Sequence, residues 1–508
     1  MCGIVAIINV SSAKERLVKA LKKIEHRGDI SDPVYEVSNK IALGTRRLRI
    51  LDWENAIQPM ISYNNQFVVV YNGEIYNYKD LRIDLEKKGI KFNTESDTEV
   101  LANGLAYYGV RFLPMLNGMF AFVAYNLREN SFIASRDTAG IKPLYFIKYE
   151  HGFCFASEIK PLLFVTDLGI VQEVKPGQII SNNGNFHYET ITSDFRVGSL
   201  KQNAKNLARL LESSIARQVP STQEFAIKFG GGIDSTLILH LASKYSKNIK
   251  SYLISNENGI DKKYALEYAQ RCGADPIIIN FSEQDIYKLI KPVVSTIESF
   301  EPTLVRNSIF SFLLSKRISD DGIKIALCGE GADELFLGYR EMESYKENMD
   351  YQIFYKDLYR TQLQRVDRCS MQFHLETRVP FLDENIVFFS KNIPISQKIG
   401  KYEGTFTNKI ILRELFKLFP EIPESIRLRD KVVLVEGAGM GNNSKFSGPF
   451  YEHSNSQMTD EDFKFSKKKY SKFFPTTKEE VLYLNVLENT FDIKRVENIL
   501  KRPMLNKM

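Results

Sequence analysis

The sequence predicts two architectures in succession: an α+β domain of layered antiparallel sheets over residues 1–190, then, from about 200 to 508, an α/β doubly wound parallel sheet with a helical C-terminal part. Three observations predict this. The first stretch consists of short apolar runs broken by turn residues, the pattern of antiparallel strands. After about residue 200, strand-like runs alternate with helical periods, which is the rhythm of βαβ units. Between them in importance stands Phe225 to Thr236, FAIKFGGGIDST, where an apolar run stops in three glycines and restarts as a helix. Ligands of doubly wound sheets bind at such strand-to-helix turns, at the carboxyl ends of the strands.

In the first domain, strands are expected at Ile4 to Val10, Ile41 to Arg49, Phe67 to Tyr71, Phe120 to Tyr125, Phe132 to Ser135, Leu144 to Tyr149, Gly152 to Ala156 and Gln178 to Ile180. Helical periods occur around Lys14 to Glu25, Lys79 to Lys88 and Thr98 to Tyr107. Turn residues at Asn126 to Asn130 and Ser181 to Asn185 favour hairpins. A polar stretch near Thr192 to Lys201 is the expected linker. Beyond it, strands at Phe225 to Phe229, Lys250 to Ile254, Pro276 to Phe281 and Lys324 to Cys328 alternate with helices at Thr236 to Tyr245, Lys262 to Cys272, Glu283 to Ile297 and Ser308 to Ser319. Ala265, Tyr268, Ala269 and Cys272 recur at i, i+3, i+4 and i+7, a helix laid on a sheet. Residues 340 to 508 hold few strand-like runs and read as mostly helical.

Composition narrows the class. A chain of 508 residues with 44% hydrophobic content can bury two or three cores. Lys plus Arg at 68 against Asp plus Glu at 62 is too small an excess to imply a nucleic-acid partner, and the Lys464 to Lys472 cluster reads as a solvated surface. The five cysteines are scattered, without metal or disulfide spacing, which fits a reducing cytoplasm. No segment reaches the roughly 18 apolar residues of a spanning helix, and Met1 to Val10 lacks the basic start of a signal peptide. A soluble cytoplasmic protein is expected.

The chemistry of the glycine turn follows from its residue types. Glycines let backbone N–H groups converge on an anion, and the helix N-terminus adds its positive dipole end. The Lys-Ser/Thr ending of a Walker loop is missing. Asp234 stands there instead, and it can approach a polyphosphate only through a cation, for which Mg²⁺ is the natural choice. At the other end of the chain, Cys2 follows Met1, and its small side chain permits Met1 removal. Cys2 then carries a free amine titrating at roughly 7.7 to 8.0, so one residue supplies nucleophile and base.

The first domain resembles the class II glutamine amidotransferases, which are N-terminal-nucleophile hydrolases. The likeness runs through Met1-Cys2-Gly3-Ile4, His26-Arg27-Gly28, Arg47-Leu48, Asn72-Gly73-Glu74-Ile75-Tyr76-Asn77, Ser96-Asp97, Leu116 to Phe122, Arg136-Asp137, Lys142 to Tyr145 and Ala156 to Lys160. It implies that Cys2 attacks the glutamine amide while Asn72 and the N–H of Gly73 hold the oxyanion. Arg47 would pair with the α-carboxylate of glutamine, and Glu74 and Asp97 with its α-ammonium. Asp29-Ile30 departs from the Pro-Asp that usually follows His-Arg-Gly.

The second domain resembles the ATP-pyrophosphatase domain of asparagine synthetases. It carries the glycine loop as Gly230-Gly231-Gly232-Ile233-Asp234-Ser235, then Cys328-Gly329-Glu330-Gly331-Ala332-Asp333-Glu334, Arg378 to Asp383, Lys409 to Arg413, Arg429-Asp430-Lys431 and Thr477-Lys478-Glu479. The likeness implies that Gly230, Gly231, Gly232, Ser235, Leu253 and Gly329 bind ATP and that Asp234 and Asp333 bind Mg²⁺-pyrophosphate. Glu330 would act as base on the attacking ammonia, Lys431 would stabilise the adenylate, and Arg306 would bind the acceptor. Gly230, Cys328 and Ala332 stand where serine is common, and Leu304 stands where many asparagine synthetases carry a second threonine.

The expected function is therefore a glutamine-dependent, ATP-consuming amidotransferase similar to asparagine synthetase, forming AMP and pyrophosphate, with ammonia carried along an internal route. Its partners are small molecules: glutamine, ATP and a carboxylate acceptor, with L-aspartate expected. A homodimer is allowed, and neither nucleic acid nor membrane is expected. The rivals are a relative acting on another carboxylate, such as a sugar acid or a lactam precursor, and a degenerate regulatory subunit. Retention of Asp234, Glu330, Asp333 and Lys431 argues against the last.

Overall fold

A computed structural model describes the chain except residues 1, 53, 168, 193–194, 221–222, 248, 340–341, 343–351, 442–443 and 501–508. Met1, part of the expected linker and the end of the expected second domain thus lie outside the described residues. The chain divides into two compact units. One takes the first 191 residues together with Met371–His374 and the stretch from Leu487; the other takes Thr192–Ser370 and Leu375–Val486.

In the first unit the strands are β1 (Cys2–Ile8), β2 (Ile30–Ser31), β3 (Tyr35–Ser38), β4 (Ile41–Arg47), β5 (Met60–Ile61), β6 (Phe67–Ile75), β7 (Gly118–Asn126), β8 (Ser131–Arg136), β9 (Tyr145–Tyr149), β10 (Gly152–Ala156), β11 (Gln172–Glu173), β12 (Gln178–Ser181) and β13 (Gly184–His187). They form a seven-stranded sheet in the order β11-β9-β10-β1-β4-β2, with β3 also on β4, and a six-stranded sheet in the order β13-β12-β8-β7-β6-β5. Every pairing is antiparallel. The facing sides interdigitate through Ile4, Ala6 and Leu43 of one sheet and Val68, Val70, Ala121 and Val123 of the other.

Helices close both outer faces. Of α1 (Ala13–Lys22), α2 (Tyr78–Lys87), α3 (Asp97–Tyr108) and α4 (Ile159–Val165), α2 and α3 bury Leu81, Leu85, Leu101 and Leu105 against Phe67, Val69 and Tyr71. On the other side Leu17 and Leu21 of α1 sit so close to Gly44 of β4 that a Cβ there would meet them at 2.7 and 2.9 Å. The eight expected strands are all present; the five others, β2, β3, β5, β11 and β13, are pieces of two to four residues, too brief to show a period of two.

The second unit is built on α5 (Leu200–Gln218), β14 (Phe225–Lys228), α6 (Ile233–Ala242), β15 (Ile249–Ile254), α7 (Ile260–Cys272), β16 (Pro276–Ile279), α8 (Glu283–Lys288), α9 (Ile290–Ile297), α10 (Pro302–Asp320), β17 (Ile325–Leu327), α11 (Ala332–Phe336) and, after several further turns, β18 (Glu376–Arg378). The five strands run parallel in the order β16-β15-β14-β17-β18. The direction of winding reverses between β14 and β17, so the loops after those two strands open a crevice at their carboxyl ends.

Three expectations change. The span expected as one helix, Glu283 to Ile297, is two helices parted at Leu289. The helix expected from Ser308 begins at Pro302, because Pro fits the first helical turn and the Glu301 carboxylate accepts the Leu304 N–H at 2.6 Å. Helix α5 begins at Leu200, inside the expected linker, with Ser199 as its cap.

Candidate active sites

In the first unit, Cys2 opens the central strand β1 and lies opposite Arg47 of β4. The Cys2 backbone nitrogen donates to Asn72 Oδ1 at 2.9 Å, which turns the Asn72 amide so that Nδ2 is a buried donor with no protein partner. An orphaned buried donor costs about 1–3 kcal/mol, so a site beside Cys2 that needs such a donor is a physical reason to keep it. Gly73 follows on β6, where a Cβ would meet the Met119 carbonyl oxygen at 2.1 Å. Burial raises the Cys2 thiol, Asp32 adds to the rise and Arg47 opposes it.

Arg27 is fully buried, donates to the Cys2 carbonyl at 3.2 Å and pairs with Glu158 at 3.0 Å, while His26 meets the same carboxylate at 2.9 Å. Asp97 lies in the first turn of α3, which Ser96 caps, and its Oδ2 accepts from the Tyr71 hydroxyl at 2.7 Å and the Ile75 N–H at 2.9 Å. Glu74 is half-buried on β6.

Two residues here escaped sequence reasoning. Arg47, expected to meet substrate, grips Asp32 with both arms of its fork at 2.6 and 2.9 Å. A carboxylate already stands in the grip, so glutamine must displace or share it. Gln58 reaches the Cys2 sulfur: its Oε1 accepts the Tyr71 N–H at 2.8 Å, which fixes the amide's orientation and leaves Nε2 3.8 Å from Cys2 Sγ. Asp32 and Gln58 lie outside any regular run, and only tertiary contact brings them to Cys2.

In the second unit a cavity of about 250 Å³ opens at the carboxyl ends of β14 and β17. Arg429 donates to the Gly231 carbonyl at 2.9 Å and pairs with Asp261 at 2.7 Å, so the carbonyls of the glycine turn face Arg429. Gly231 needs its left-handed φ of 62°, and a Cβ on it would strike Ala265 N at 2.6 Å. Nothing lies within 4 Å of where a Gly232 Cβ would be, which leaves the mouth of α6 open toward the cavity. Gly329 is packed on the same helix start, 2.7 Å from Asp234 Cβ by the same measure. Leu253, Gly230 and Ser235 also line the cavity. Of the departures, Gly230 has room for a Cβ only 3.1 Å from Asp261 Oδ2, Ala332 is fully buried, and burial pushes the Cys328 thiol up to about 11.

Asp234 and Asp333 face one another across Lys409, whose Nζ is 2.6 Å from an oxygen of each, while Lys431 holds the other Asp333 oxygen at 2.5 Å. Burial raises the Asp234 carboxyl against the pull of Lys409; at Asp333 the two ammonium groups outweigh burial and hold it well below the usual range. Asp234 Oδ1 is buried without a hydrogen bond, and the Asp333 oxygen facing Lys409 makes close ionic contact without hydrogen-bond alignment. Two carboxylates converging on one positive point, with oxygen donors left over, fit a divalent cation. Lys409 adopts φ 51°, a strained conformation for a lysine; the sequence names it only as the start of the Lys409 to Arg413 stretch and gives it no role.

Glu330 is gripped by Arg365, which donates to both its oxygens at 2.8 Å and to Ser311 at 2.7 Å. Beside it, burial and then the charges of Asp333 and Glu330 push Glu334 up to about 8, and the Tyr339 hydroxyl donates to it.

Arg306 is not where an acceptor ligand would be. Its fork closes on Glu479, and its remaining nitrogen donates to the Ser444 carbonyl at 2.9 Å. Helix geometry explains this: Thr303, Asn307, Ser311 and Leu314 share the face of α10 that lines the cavity, whereas Leu304 and Arg306 point elsewhere. The hydroxyl missing at Leu304 is therefore not missing from the cavity.

Residues 1–190 match the family described as glutamine amidotransferase domain, and residues 206–354 and 346–501 match the family described as asparagine synthase. A probable glutamine-hydrolysing asparagine synthetase of Dictyostelium discoideum is 28% identical, over 99% of this chain and 96% of its own. Glutamine-hydrolysing asparagine synthetases of Oryza sativa subsp. japonica and Arabidopsis thaliana are each 29% identical, over 97% of this chain and 86% and 87% of theirs. With both halves of its length matched and the two sites built as described, the chain belongs to the asparagine synthase family and carries an N-terminal glutamine amidotransferase domain.

Proposed function

We propose that the chain is a glutamine-dependent asparagine synthetase that forms L-asparagine, AMP and pyrophosphate. In the first unit, loss of Met1 would make the Cys2 nitrogen an α-amine, which Asn72 Oδ1 orients and which takes the thiol proton. The sulfur attacks the glutamine δ-carbonyl, and Asn72 Nδ2 with the Gly73 N–H receives the oxyanion. Collapse to a thioester releases ammonia, and water then frees glutamate. Arg47 receives the glutamine α-carboxylate in place of Asp32, and Glu74 and Asp97 receive its ammonium.

In the second unit the glycine turn and the start of α6 cradle the phosphates of ATP, the nucleotide that asparagine synthetases consume. Mg²⁺ held by Asp234 and Asp333 would offset phosphate charge during departure of pyrophosphate. Lys431 and Lys409 cover the anionic leaving groups, and Glu330 takes the proton that ammonia sheds as it attacks the acyl adenylate. The observation that carries this reading is the convergence of Asp234, Asp333, Lys409 and Lys431 beside the open glycine turn. No nucleic acid has a role in this chemistry. We place the protein in the cytoplasm, supported by its five free cysteines and by the absence, among the described residues, of a helix long and apolar enough to cross a membrane.

The test supplies glutamine, ATP, Mg²⁺ and L-aspartate and follows the products. Aspartate-dependent pyrophosphate, AMP and asparagine are expected. ADP and phosphate would overturn the reading of the loop; pyrophosphate released only with another acid would overturn the acceptor.

A further inference from the structure

With Arg306 closed on Glu479, recognition of the acceptor falls to other groups, and the cavity contains one that no step above uses. Lys228 is the last residue of β14, immediately before Phe229 and the glycine turn, and its side chain lines the cavity. Its Nζ donates to the Ser315 hydroxyl of α10 at 3.0 Å. Among the described residues no carboxylate lies within 4 Å of it. Of the other cations of the cavity, Arg365 pairs with Glu330, Lys409 and Lys431 with Asp234 and Asp333, and Arg429 with Asp261, while Arg413 spends its fork on the carbonyl oxygens of Asn408, Arg427 and Arg429. Lys228 is half-buried, and an ammonium partly withdrawn from water without a counter-ion is costly. Burial accordingly pulls its pKa down, with the Arg365 charge pulling the same way and Glu330 opposing.

The position of this unmatched charge separates it from the phosphates. Lys228 reaches Ser315 on α10, and Arg365 reaches Ser311 one turn earlier on the same helix, so the two cations address the α10 wall of the cavity. The phosphate-side acids and lysines are gathered at the start of α6 and the loop after β17. An acceptor whose reacting carboxyl lies near Glu330 has the rest of its body against the α10 wall, beside Thr303 and Asn307.

We infer that Lys228 is a specificity residue of the acceptor site: its ammonium, steadied by Ser315, receives a second anionic group of the acceptor, so that the enzyme selects dicarboxylic over monocarboxylic acids. This rests on the synthetase reading above and adds the residue that reads the acceptor. For L-aspartate, the group received is the α-carboxylate, while the β-carboxylate is activated.

The experiment compares L-aspartate with β-alanine, which differs only in lacking that α-carboxylate, by ammonium-supported pyrophosphate release from the full chain. The wild type is expected to favour aspartate by at least about 100-fold in kcat/KM, since a site built around a charged partner rejects the analogue lacking it. Lys228→Met should raise the KM for aspartate by about 100-fold and largely erase the preference. Lys228→Arg should restore part of it. The KM for ATP and the glutaminase rate of Lys228→Met, the latter a check on folding, should not change. An unchanged aspartate to β-alanine ratio in Lys228→Met, or a rise confined to the KM for ATP, would overturn the inference. Should neither acid release pyrophosphate from the wild type, the aspartate reading fails by itself. The inference is then decided by calorimetric titration with succinate and butyrate: tighter succinate binding that Lys228→Met abolishes supports it, and equal binding of the two acids refutes it.

Discussion

At the scale of single residues, the proposed glutaminase chemistry has one amide doing two things. Asn72 Oδ1 fixes the Cys2 nitrogen, and this leaves Nδ2 as the buried donor beside the sulfur. Cys2→Ala should therefore abolish glutamine-supported synthesis while ammonium-supported synthesis stays within a few-fold of wild type. Asn72→Ala should lower the glutaminase kcat by roughly 10²–10³, the usual loss for one oxyanion donor. A steady-state glutaminase assay beside an ammonium-supported assay checks both, and a Cys2→Ala enzyme that still hydrolyses glutamine would refute the nucleophile. In the synthetase half, Glu334 makes a pH prediction. Its carboxyl is raised from 4.5 to about 8 by burial and its acidic neighbours. The folded protein then holds a proton that the unfolded chain releases, so the stabilisation is complete below the ordinary glutamate range and is lost as the pH climbs toward about 8. Thermal melts of the nucleotide-free protein should show the midpoint falling from pH 5.5 to 8 by more in wild type than in Glu334→Gln. Parallel pH slopes would show that Glu334 is ionised throughout.

At the scale of elements, the synthetase site is made by two loops that lie side by side because the sheet order reverses between β14 and β17. Their closeness is enforced by Gly329, whose missing side chain lets the second loop rest on the first turn of α6. Gly329→Ala would set a methyl 2.7 Å from Asp234 Cβ and 3.0 Å from the Ser235 nitrogen, and neither can yield without moving the helix start. Overpacking of this kind costs typically about 1–3 kcal/mol. The expected outcome is a drop of at least tenfold in ATP-dependent pyrophosphate release with the glutaminase rate unchanged. Wild-type pyrophosphate release would show that the loops tolerate separation. The two strands that carry this site, β14 with four residues and β17 with three, are short, and both are expected from the sequence.

At the scale of the whole molecule, the C-terminal stretch from Leu487 belongs to the unit formed by the first 191 residues. The Val171 N–H donates to the Arg495 carbonyl at 2.9 Å, and Arg495 Nε donates to the Gly169 carbonyl at 3.1 Å, so the stretch ties down the chain beside β11. Truncation after Val486 should lower the melting temperature and the glutaminase activity, although it removes nothing near Cys2 in sequence. An unaltered glutaminase rate and melt would show the tie to be dispensable.

Local chemistry made much of this protein legible. Alternating apolar runs exposed the main strands of the first unit, strand-helix alternation exposed the parallel sheet, and the glycine turn with Asp234 marked the strand-to-helix turn where the cavity opens, because backbone geometry and residue type act over a few neighbours. Partnership was not legible. Arg306 looked free to bind an acceptor until Glu479, 173 residues away, closed on it, and Arg47 looked free until Asp32 did. Lys228 passed as one polar residue in a strand, and Lys409 stood at the start of a family stretch without a role. Whether a charge is matched depends on which distant segments fold against it, and the electrostatic energy of a buried group is set by those contacts rather than by its neighbours in the chain. Sequence therefore determined the two chemistries, and tertiary structure decided which of their charged residues remain available to substrate.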